Sequence, residues 1–295
     1  MPRSLGGKGL TAFGFIAPVH VLILSLIVLP GLYVLWLSFQ ASTYGSATSF
    51  VGFANYTKVL SDGYFWRALL NTMIVVLIVV HLELLLGLGL AQLFASGLRG
   101  KRFLLAIVLA PYAVSEVSAV VMWRYLFDPD IGSATMLLTW LGLPPLEWAV
   151  EPLHGLIVVA LLSIWLHLPF TFIILYAARL AIPGDLYEAA RMDRAPPLAQ
   201  FRRITLPLLA PAMLIAMLFR YIFAFRLFSE VWLMTQGGPA RSTEVVALYL
   251  YLEAFRYNAF GSAAATGWLM VIASLALASF YLWRLHKDMK ASHAR

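Results

Sequence analysis

The chain has 295 residues, of which 62% are hydrophobic and 12% charged, with a net charge of +7 and no cysteine. Soluble domains are about 45–50% apolar and about 25% charged, so this chain has more apolar surface than one soluble core can bury, and lipid must solvate much of it. The lack of cysteine excludes disulfide frameworks, iron–sulfur clusters and thiolate zinc sites, and the positive charge is more typical of a cytoplasmic-side excess of Lys and Arg than of nucleic-acid binding.

Six stretches of the sequence are long and apolar enough to cross a bilayer, which takes about 20 residues as a helix. In chain order they are residues 13–39, 69–95, 103–127, 153–178, 208–234 and 263–283. The first stretch is too long for a signal peptide and has no small-residue cleavage site, so it counts as a span. The fold class predicted is therefore all-α, a polytopic membrane protein with six transmembrane helices in a single domain over residues 1-295.

Small residues recur every four positions in two of these spans. Gly87, Ala91 and Ala95 do so in the second span, and Ala106 and Ala110 in the third. Small residues at this spacing let helix backbones approach closely. The same pattern also arises by chance on a lipid-facing surface, and the sequence does not separate the two explanations.

The distribution of Lys and Arg predicts the orientation in the membrane. These residues concentrate at both termini and in the loops after the second and fourth spans. The positive-inside rule therefore places both termini and these two loops in the cytoplasm. The loop 128–152 carries four acidic residues and no Lys or Arg, as expected of an external loop.

A polar loop at residues 183–207 separates the fourth and fifth spans. Asp185 and Glu188 have the D-x-x-E spacing of a capping box, in which the first side chain accepts from an early backbone N–H and the second reaches back to the cap. Two prolines follow Ala195 and disfavour helical geometry there. The pattern predicts a short cytoplasmic helix, which from these features alone is also compatible with an ordinary interfacial helix.

The loop contains a Glu-Ala-Ala run followed by further spaced residues: Glu188, Ala189, Ala190, Asp193, Ala195, Ile204, Leu206 and Pro207. At these positions it resembles the EAA loop of ATP-binding-cassette importer permeases, above all those of the carbohydrate-uptake type. Arg194 departs from the pattern, since the family has glycine there, a residue suited to a left-handed helix end. A non-glycine residue in that conformation costs about 1–2 kcal/mol. We therefore expect either that the helix runs one residue further or that Arg194 contacts a partner directly.

Other segments extend the resemblance over roughly residues 10–285. Residues 51–56 resemble the first external loop of the family, and Asn71-Thr72 resembles the start of its second span. Residues 233–239, followed by 242–244, look like the Thr-x-Gly-Gly-Pro loop after the fifth span. That loop is typical of the first permease of maltose, trehalose and glycerol-phosphate importers, which implies a MetI-like fold with a cytoplasmic coupling helix.

The resemblance implies a permease that is driven by another protein and is not itself an enzyme. No phosphate-binding loop of the type G-x-x-x-x-G-K-[ST] occurs in the sequence, so ATP and Mg²⁺ are expected on a separate ATPase, with no cofactor and no metal on this chain. The implied partners are a second homologous permease, two ABC ATPase subunits, an extracytoplasmic substrate-binding protein, a sugar and membrane lipid, without nucleic acid. The implied location is a bacterial inner membrane. The residues expected to couple to the ATPase are Tyr187, Glu188, Ala189, Ala190, Asp193, Arg194 and Ala195.

Ionisable residues within the spans mark candidate pore positions, because charge in hydrocarbon is unfavourable. Arg226 and Glu230 are four residues apart, one turn along a helix face, and are expected to pair. Arg220 has no such neighbour, so it either pairs with Glu83 or Glu116 or contacts the solute. Sugars also need hydrogen-bonding groups and aromatic faces. The substrate and pore candidates are Tyr112, Glu116, Ser163, Trp165, His167, Arg220, Phe223 and Glu230.

Two other functions compete with the importer permease. A self-contained secondary transporter or channel subunit would use the intramembrane charges as an ion relay, but it would not account for the Glu188 loop. A polytopic lipid-modifying enzyme has no catalytic cluster in the sequence to support it. The sequence also leaves open which sugar is carried, and whether a sugar phosphate or polyol is carried instead, for which Arg220 would be a suitable anion contact.

Overall fold

A computed structural model describes residues 16–293, except the side chains of 280–282 and 284–293, so the predicted start of the first span at 13–15 lies outside the described residues. A short antiparallel hairpin pairs β1 (Gln40–Ala41) with β2 (Ser49–Phe50). The helices are α1 (Ile16–Leu37), α2 (Ala54–Ser61), α3 (Gly63–Ala95), α4 (Lys101–Leu109), α5 (Glu116–Leu126), α6 (Ser133–Trp140), α7 (Pro152–Leu180), α8 (Gly184–Met192), α9 (Pro197–Ala224), α10 (Ser229–Met234), α11 (Val246–Tyr251) and α12 (Phe260–His293). Single π-helical turns lie in α1 (Leu24–Val28), in α9 (Phe201–Thr205) and after α11 (Leu252–Arg256).

Five of the described helices are long and apolar enough to cross a membrane: α1, α3, α7, α9 and the segment Phe260–Ser279 of α12. A sixth span results if α4 and α5 are counted as one broken span. The helical content and the number of spans confirm the predicted fold class. None of the most apolar stretch of α1 is buried within the protein, which leaves its whole circumference for lipid or another membrane-embedded surface.

The third predicted span is not one continuous helix. The segments Lys101–Ala113 and Glu116–Leu126 meet at an angle of 104°. The chain tightens into a 3₁₀ turn over Ala110–Ala113 and is extended at Val114. The Ser115 hydroxyl then accepts a hydrogen bond from the Ser118 backbone N–H, 3.2 Å, which caps the start of α5. Hydropathy alone therefore predicted the wrong backbone path at this point.

The fifth predicted span has different ends in the structure. It was expected over residues 208–234, whereas α9 begins at Pro197 and ends at Ala224. The chain leaves helical geometry near Phe228 and resumes it in the short helix α10. The apolar character of this stretch is continuous across the break, so hydropathy did not locate it.

The described chain divides into two compact units, residues 16–62 with 250–269 and residues 63–249 with 270–293. The single domain stays a prediction. In the first unit, the buried Asn55 amide donates to the backbone carbonyls of Ser38 and Gln40, each at 2.8 Å. Lys58 lies 3.7 Å from the Glu253 carboxylate in the same unit. These bonds hold the loop region after α1 against α2 and the π-helical turn after α11.

The core of the second unit lies between α3, α7 and α9. At Gly87, an added Cβ would lie 3.0 Å from the Thr171 methyl group and 3.4 Å from the Phe172 backbone nitrogen. Ala91, one turn later, is fully buried. The close approach of α3 and α7 confirms that the small residues at these two positions serve helix packing.

The N-terminal third of α3 is bonded to the loop after α10. Asn71 donates to the backbone carbonyls of Ser242 and Glu244, both at 2.8 Å. The Thr72 hydroxyl accepts from the Val246 backbone N–H at 2.9 Å. Both residues lie inside α3, which begins at Gly63, and not at its first turn as expected. They fix the Gly-Gly-Pro loop to the helix that forms much of the core.

Candidate functional site

A cavity of about 520 Å³ lies in the second unit, next to the two helix breaks. Its walls come from the α4–α5 break, α5, α7, the end of α9, the α9–α10 break and the start of α10. The lining residues are Pro111, Tyr112, Val114, Glu116, Ser163, Leu166, His167, Arg220, Phe223, Ala224, Arg226, Leu227, Phe228, Ser229 and Glu230. Non-helical backbone at membrane depth is tolerated where it is buried in protein or lines a watery cavity, so the position of both breaks beside one cavity indicates a solvated site.

The structure brings all the predicted pore candidates together at this cavity, with the exception of Trp165. Trp165 is half-buried and packs against Trp123, with ring centroids 6.0 Å apart. The sequence did not predict the contribution of the break residues, among them Val114 and Phe228. Pro111 and the Ser115 cap were available signals for the first break.

Arg220 pairs with Glu83 of α3. Its Nε lies 2.5 Å from Glu83 Oε2, and its Nη2 donates to Oε1 at 2.8 Å. The exposed fractions of the two side chains are 2% and 0%. The fork geometry of this pair satisfies both carboxylate oxygens, so the guanidinium at the cavity wall is already neutralised. Of the partners considered from the sequence, Glu83 is the one that contacts Arg220, whereas Glu116 is exposed.

The predicted pairing of Arg226 with Glu230 is wrong. No ion pair joins them, although both residues lie within the described chain; Arg226 is exposed and Glu230 is buried. The reason is that α9 ends at Ala224, so the two residues do not share the helical face that their spacing implied.

The remaining polar groups of the cavity suit hydrogen bonding to a solute. Ser163 lines the cavity and is 2% exposed. Glu116 and Glu230 add carboxylates, and Phe223, which is 44% exposed, adds an aromatic face. Among the residues that the structure describes, no group of three or more His, Asp or Glu side chains is arranged to hold a metal ion.

The helix predicted between the fourth and fifth spans is present as α8, but without the predicted capping box. The helix begins at Gly184, with Pro183 at the cap position and no side-chain cap bond. Asp185 therefore lies inside the first turn, where its charge still favours the helix dipole. Glu188 does not reach back to the cap and lies 3.8 Å from Arg191, in a pair too exposed to stabilise much.

The end of α8 corrects the expectation that the helix runs further. Arg194 adopts a left-handed conformation with φ of 55°. The Ala195 backbone N–H donates to the Ala190 carbonyl at 2.9 Å, and the Arg194 N–H donates to the Arg191 carbonyl at 3.0 Å. This is a Schellman motif with arginine at the position that favours glycine. Arg194 thus preserves the helix end expected of glycine, and its side chain is exposed.

The residues predicted to couple to the ATPase lie in α8 and just after it. Glu188, Ala189 and Asp193 are exposed, whereas Tyr187 and Ala190 are half-buried. Leu186 and Met192 add exposed apolar groups, with Met192 85% exposed. Exposed apolar residues together with a small-residue patch fit a surface that another protein approaches closely.

Residues 83–287 match the family of inner membrane components of binding-protein-dependent transport systems. This range is more than half of the chain and includes α8 and every residue that lines the cavity. The chain belongs to this family of membrane-spanning transport permeases.

Several relatives match over nearly their full length. The trehalose/maltose transport system permease protein MalF of Thermococcus litoralis is 33% identical, over 90% of this chain and 90% of the relative. The sulfoquinovosyl glycerol transport system permease protein SmoG of Agrobacterium fabrum is 32% identical, over 94% and 90%. A crystal structure of a bacterial alginate ABC transporter, in complex with an alginate pentasaccharide-bound periplasmic protein, contains a chain with the same fold. Its TM-score is 0.84 at 20% identity, covering 96% of both chains.

Proposed function

We propose that this chain is a channel-forming permease subunit of an ATP-driven importer for a sugar or sugar-like solute. It acts beside a second, homologous permease, with two ABC ATPase subunits on the cytoplasmic side and a binding protein outside. The observation that carries the proposal is the exposed helix α8, with Glu188 and Ala189 on its surface, between two helices long enough to cross a membrane. The relatives named as sugar permeases support it.

Lys and Arg are concentrated at both termini and in the loops after the second and fourth predicted spans. This distribution favours an orientation with α8 and both termini in the cytoplasm. In this orientation α8 is the docking element for an ATPase, which binds the ATP and Mg²⁺ that drive transport. Nucleotide can do this work only through its different affinity for the open and closed states of the ATPase dimer. The permease then alternates between outward and inward access around its cavity.

The cavity favours a hydroxyl-rich solute. Arg220 is neutralised by Glu83 and is therefore a poor anion contact, contrary to the possibility raised by its position in the sequence. Ser163, Glu116 and Glu230 can hydrogen-bond to hydroxyl groups, and the ring of Phe223 can stack against a sugar face. Polar groups held in fixed positions are what orient a small solute in its cavity.

The test is uptake by the complete complex in lipid vesicles. The solute is first identified by screening the cognate binding protein against neutral oligosaccharides and the matching uronic acids. Uptake is then expected to require ATP on the ATPase side and to survive a proton uncoupler. Uptake without the ATPase that collapses with the proton gradient would instead identify a secondary transporter.

A further inference from the structure

Tyr187 connects the exposed helix α8 to the membrane helices. Its side chain is half-buried, whereas its neighbours Leu186 and Glu188 are exposed. The hydroxyls of Tyr187 and Thr205 share a hydrogen bond of 2.8 Å. Thr205 is fully buried at the end of the π-helical turn in α9. Such turns occur often at functional sites, and this one carries the hydroxyl that holds Tyr187.

The face of the Tyr187 ring also contacts Arg179, near the end of α7. The guanidinium carbon lies 4.3 Å from the ring centroid, within the range of a cation–π interaction. Arg179 Nε donates to Gln92 Oε1 of α3 at 2.8 Å. One aromatic side chain of α8 is therefore linked, directly or through Arg179, to three long helices.

We propose that Tyr187 is a positioning residue that passes the displacement of α8 to α3, α7 and α9. This rests on the proposed function, in which an ATPase moves α8. The exposed residues around Glu188 then serve docking, and Tyr187 serves transmission. A contact built from a hydroxyl pair and a stacked guanidinium holds the ring in one orientation, so α8 cannot slide over the membrane helices without moving them.

The test uses spin labels in the complete complex in lipid nanodiscs. The chain has no cysteine, so Val117→Cys and Ile222→Cys introduce a defined pair on α5 and α9. Neither residue lines the cavity. The distance between the labels is measured with and without Mg-ATP and orthovanadate, and the bound ATPase and its hydrolysis rate are measured on the same sample.

With otherwise unaltered sequence, nucleotide is expected to shift the label distance. Tyr187→Phe is expected to reduce the shifted fraction by about threefold or more, because it removes one hydrogen bond, while the ATPase stays bound and active. Thr205→Val should give the same loss, and Thr205→Ser, which keeps the hydroxyl, should restore the response. The double variant Tyr187→Phe with Thr205→Val should be no worse than either single change, because both remove the same bond.

Tyr125→Phe is the matched control, since Tyr125 is 68% exposed and should leave the response unchanged. A full response in Tyr187→Phe would overturn the inference. So would loss of the ATPase from that variant, which would assign Tyr187 to docking, or an equal defect in Thr205→Ser and Thr205→Val. Failure of the unaltered chain to bind any ATPase would instead overturn the proposed function, and the inference with it.

Discussion

At the scale of single residues, the ion pair between Glu83 and Arg220 is the most consequential contact in the described core. Both side chains are almost completely buried, and each satisfies the other. Removing one member of such a pair leaves an uncompensated charge, whereas replacing both by apolar residues is often neutral. The pair therefore matters for the folded state as well as for the cavity that Arg220 lines.

Arg220→Ala is expected to lower the free energy of unfolding by about 3–5 kcal/mol, because it strands the Glu83 carboxylate. The double variant Glu83→Leu with Arg220→Met should recover most of this loss. Denaturant unfolding of the purified chain in detergent measures both. Arg226→Ala is the control, because Arg226 is exposed, and it should change stability by no more than about 0.5 kcal/mol. If Arg220→Ala were as stable as the unaltered chain, the structural role of the Glu83–Arg220 pair would be contradicted.

Substitution of Phe223 tests whether the cavity is the solute-binding site. Phe223→Ala should raise the half-saturating solute concentration for ATP-driven uptake about two- to tenfold, because an aromatic stacking contact contributes about 0.5–1.5 kcal/mol. Phe219→Ala is a close control. Phe219 and Phe223 are both 44% exposed and both pack against Phe170, but only Phe223 lines the cavity. Equal effects of the two changes would move the solute site elsewhere.

At the scale of elements, the contact between α3 and α7 depends on Gly87. Gly87→Leu should lower the free energy of unfolding by about 1–3 kcal/mol, because the added side chain meets the Thr171 methyl group and the Phe172 backbone. Gly89→Leu lies two residues further along α3 and has no atom within 4 Å of the added Cβ. Thermal unfolding in detergent should therefore separate the two variants, and equal midpoints would contradict the packing argument.

The sequence predicted the existence of the spans better than their continuity. Hydropathy reports whether a segment is apolar, and α4 with α5 is apolar on both sides of its 104° bend. The Ser115 cap was a local signal for that break, whereas the break after Ala224 has neither glycine nor proline to mark it. That second break arises from tertiary packing, and it is also what separates Arg226 from Glu230.

The sequence also predicted the residues of the site better than the contacts between them. Residue chemistry selected eight candidates, and seven of them line the cavity. It was not enough to choose between Glu83 and Glu116 as the partner of Arg220, since a single sequence does not show which helices are neighbours. The sequence identified Arg194 as an unusual residue for a helix end. The structure shows that the Schellman motif accommodates this arginine in the left-handed conformation.

At the scale of the whole molecule, the orientation in the membrane determines which surface meets which partner. The account places Met192 of α8 in the cytoplasm and Asp130, in the loop before α6, outside. Both residues are exposed, and the chain has no cysteine of its own. In right-side-out vesicles, a membrane-impermeant maleimide should label Asp130→Cys and leave Met192→Cys unlabelled until the membrane is opened. The reverse pattern would contradict the positive-inside assignment.

The most direct test of the central claim is whether an ABC ATPase subunit binds this chain through α8. The account predicts that the ATPase encoded with this chain co-purifies with it, and that Glu188→Lys abolishes co-purification by reversing the charge of an exposed helix residue. Asp130→Lys makes the same reversal on the predicted external side, and it should retain the ATPase. If Glu188→Lys retains the ATPase as well as Asp130→Lys does, α8 is not the docking element and the account is contradicted.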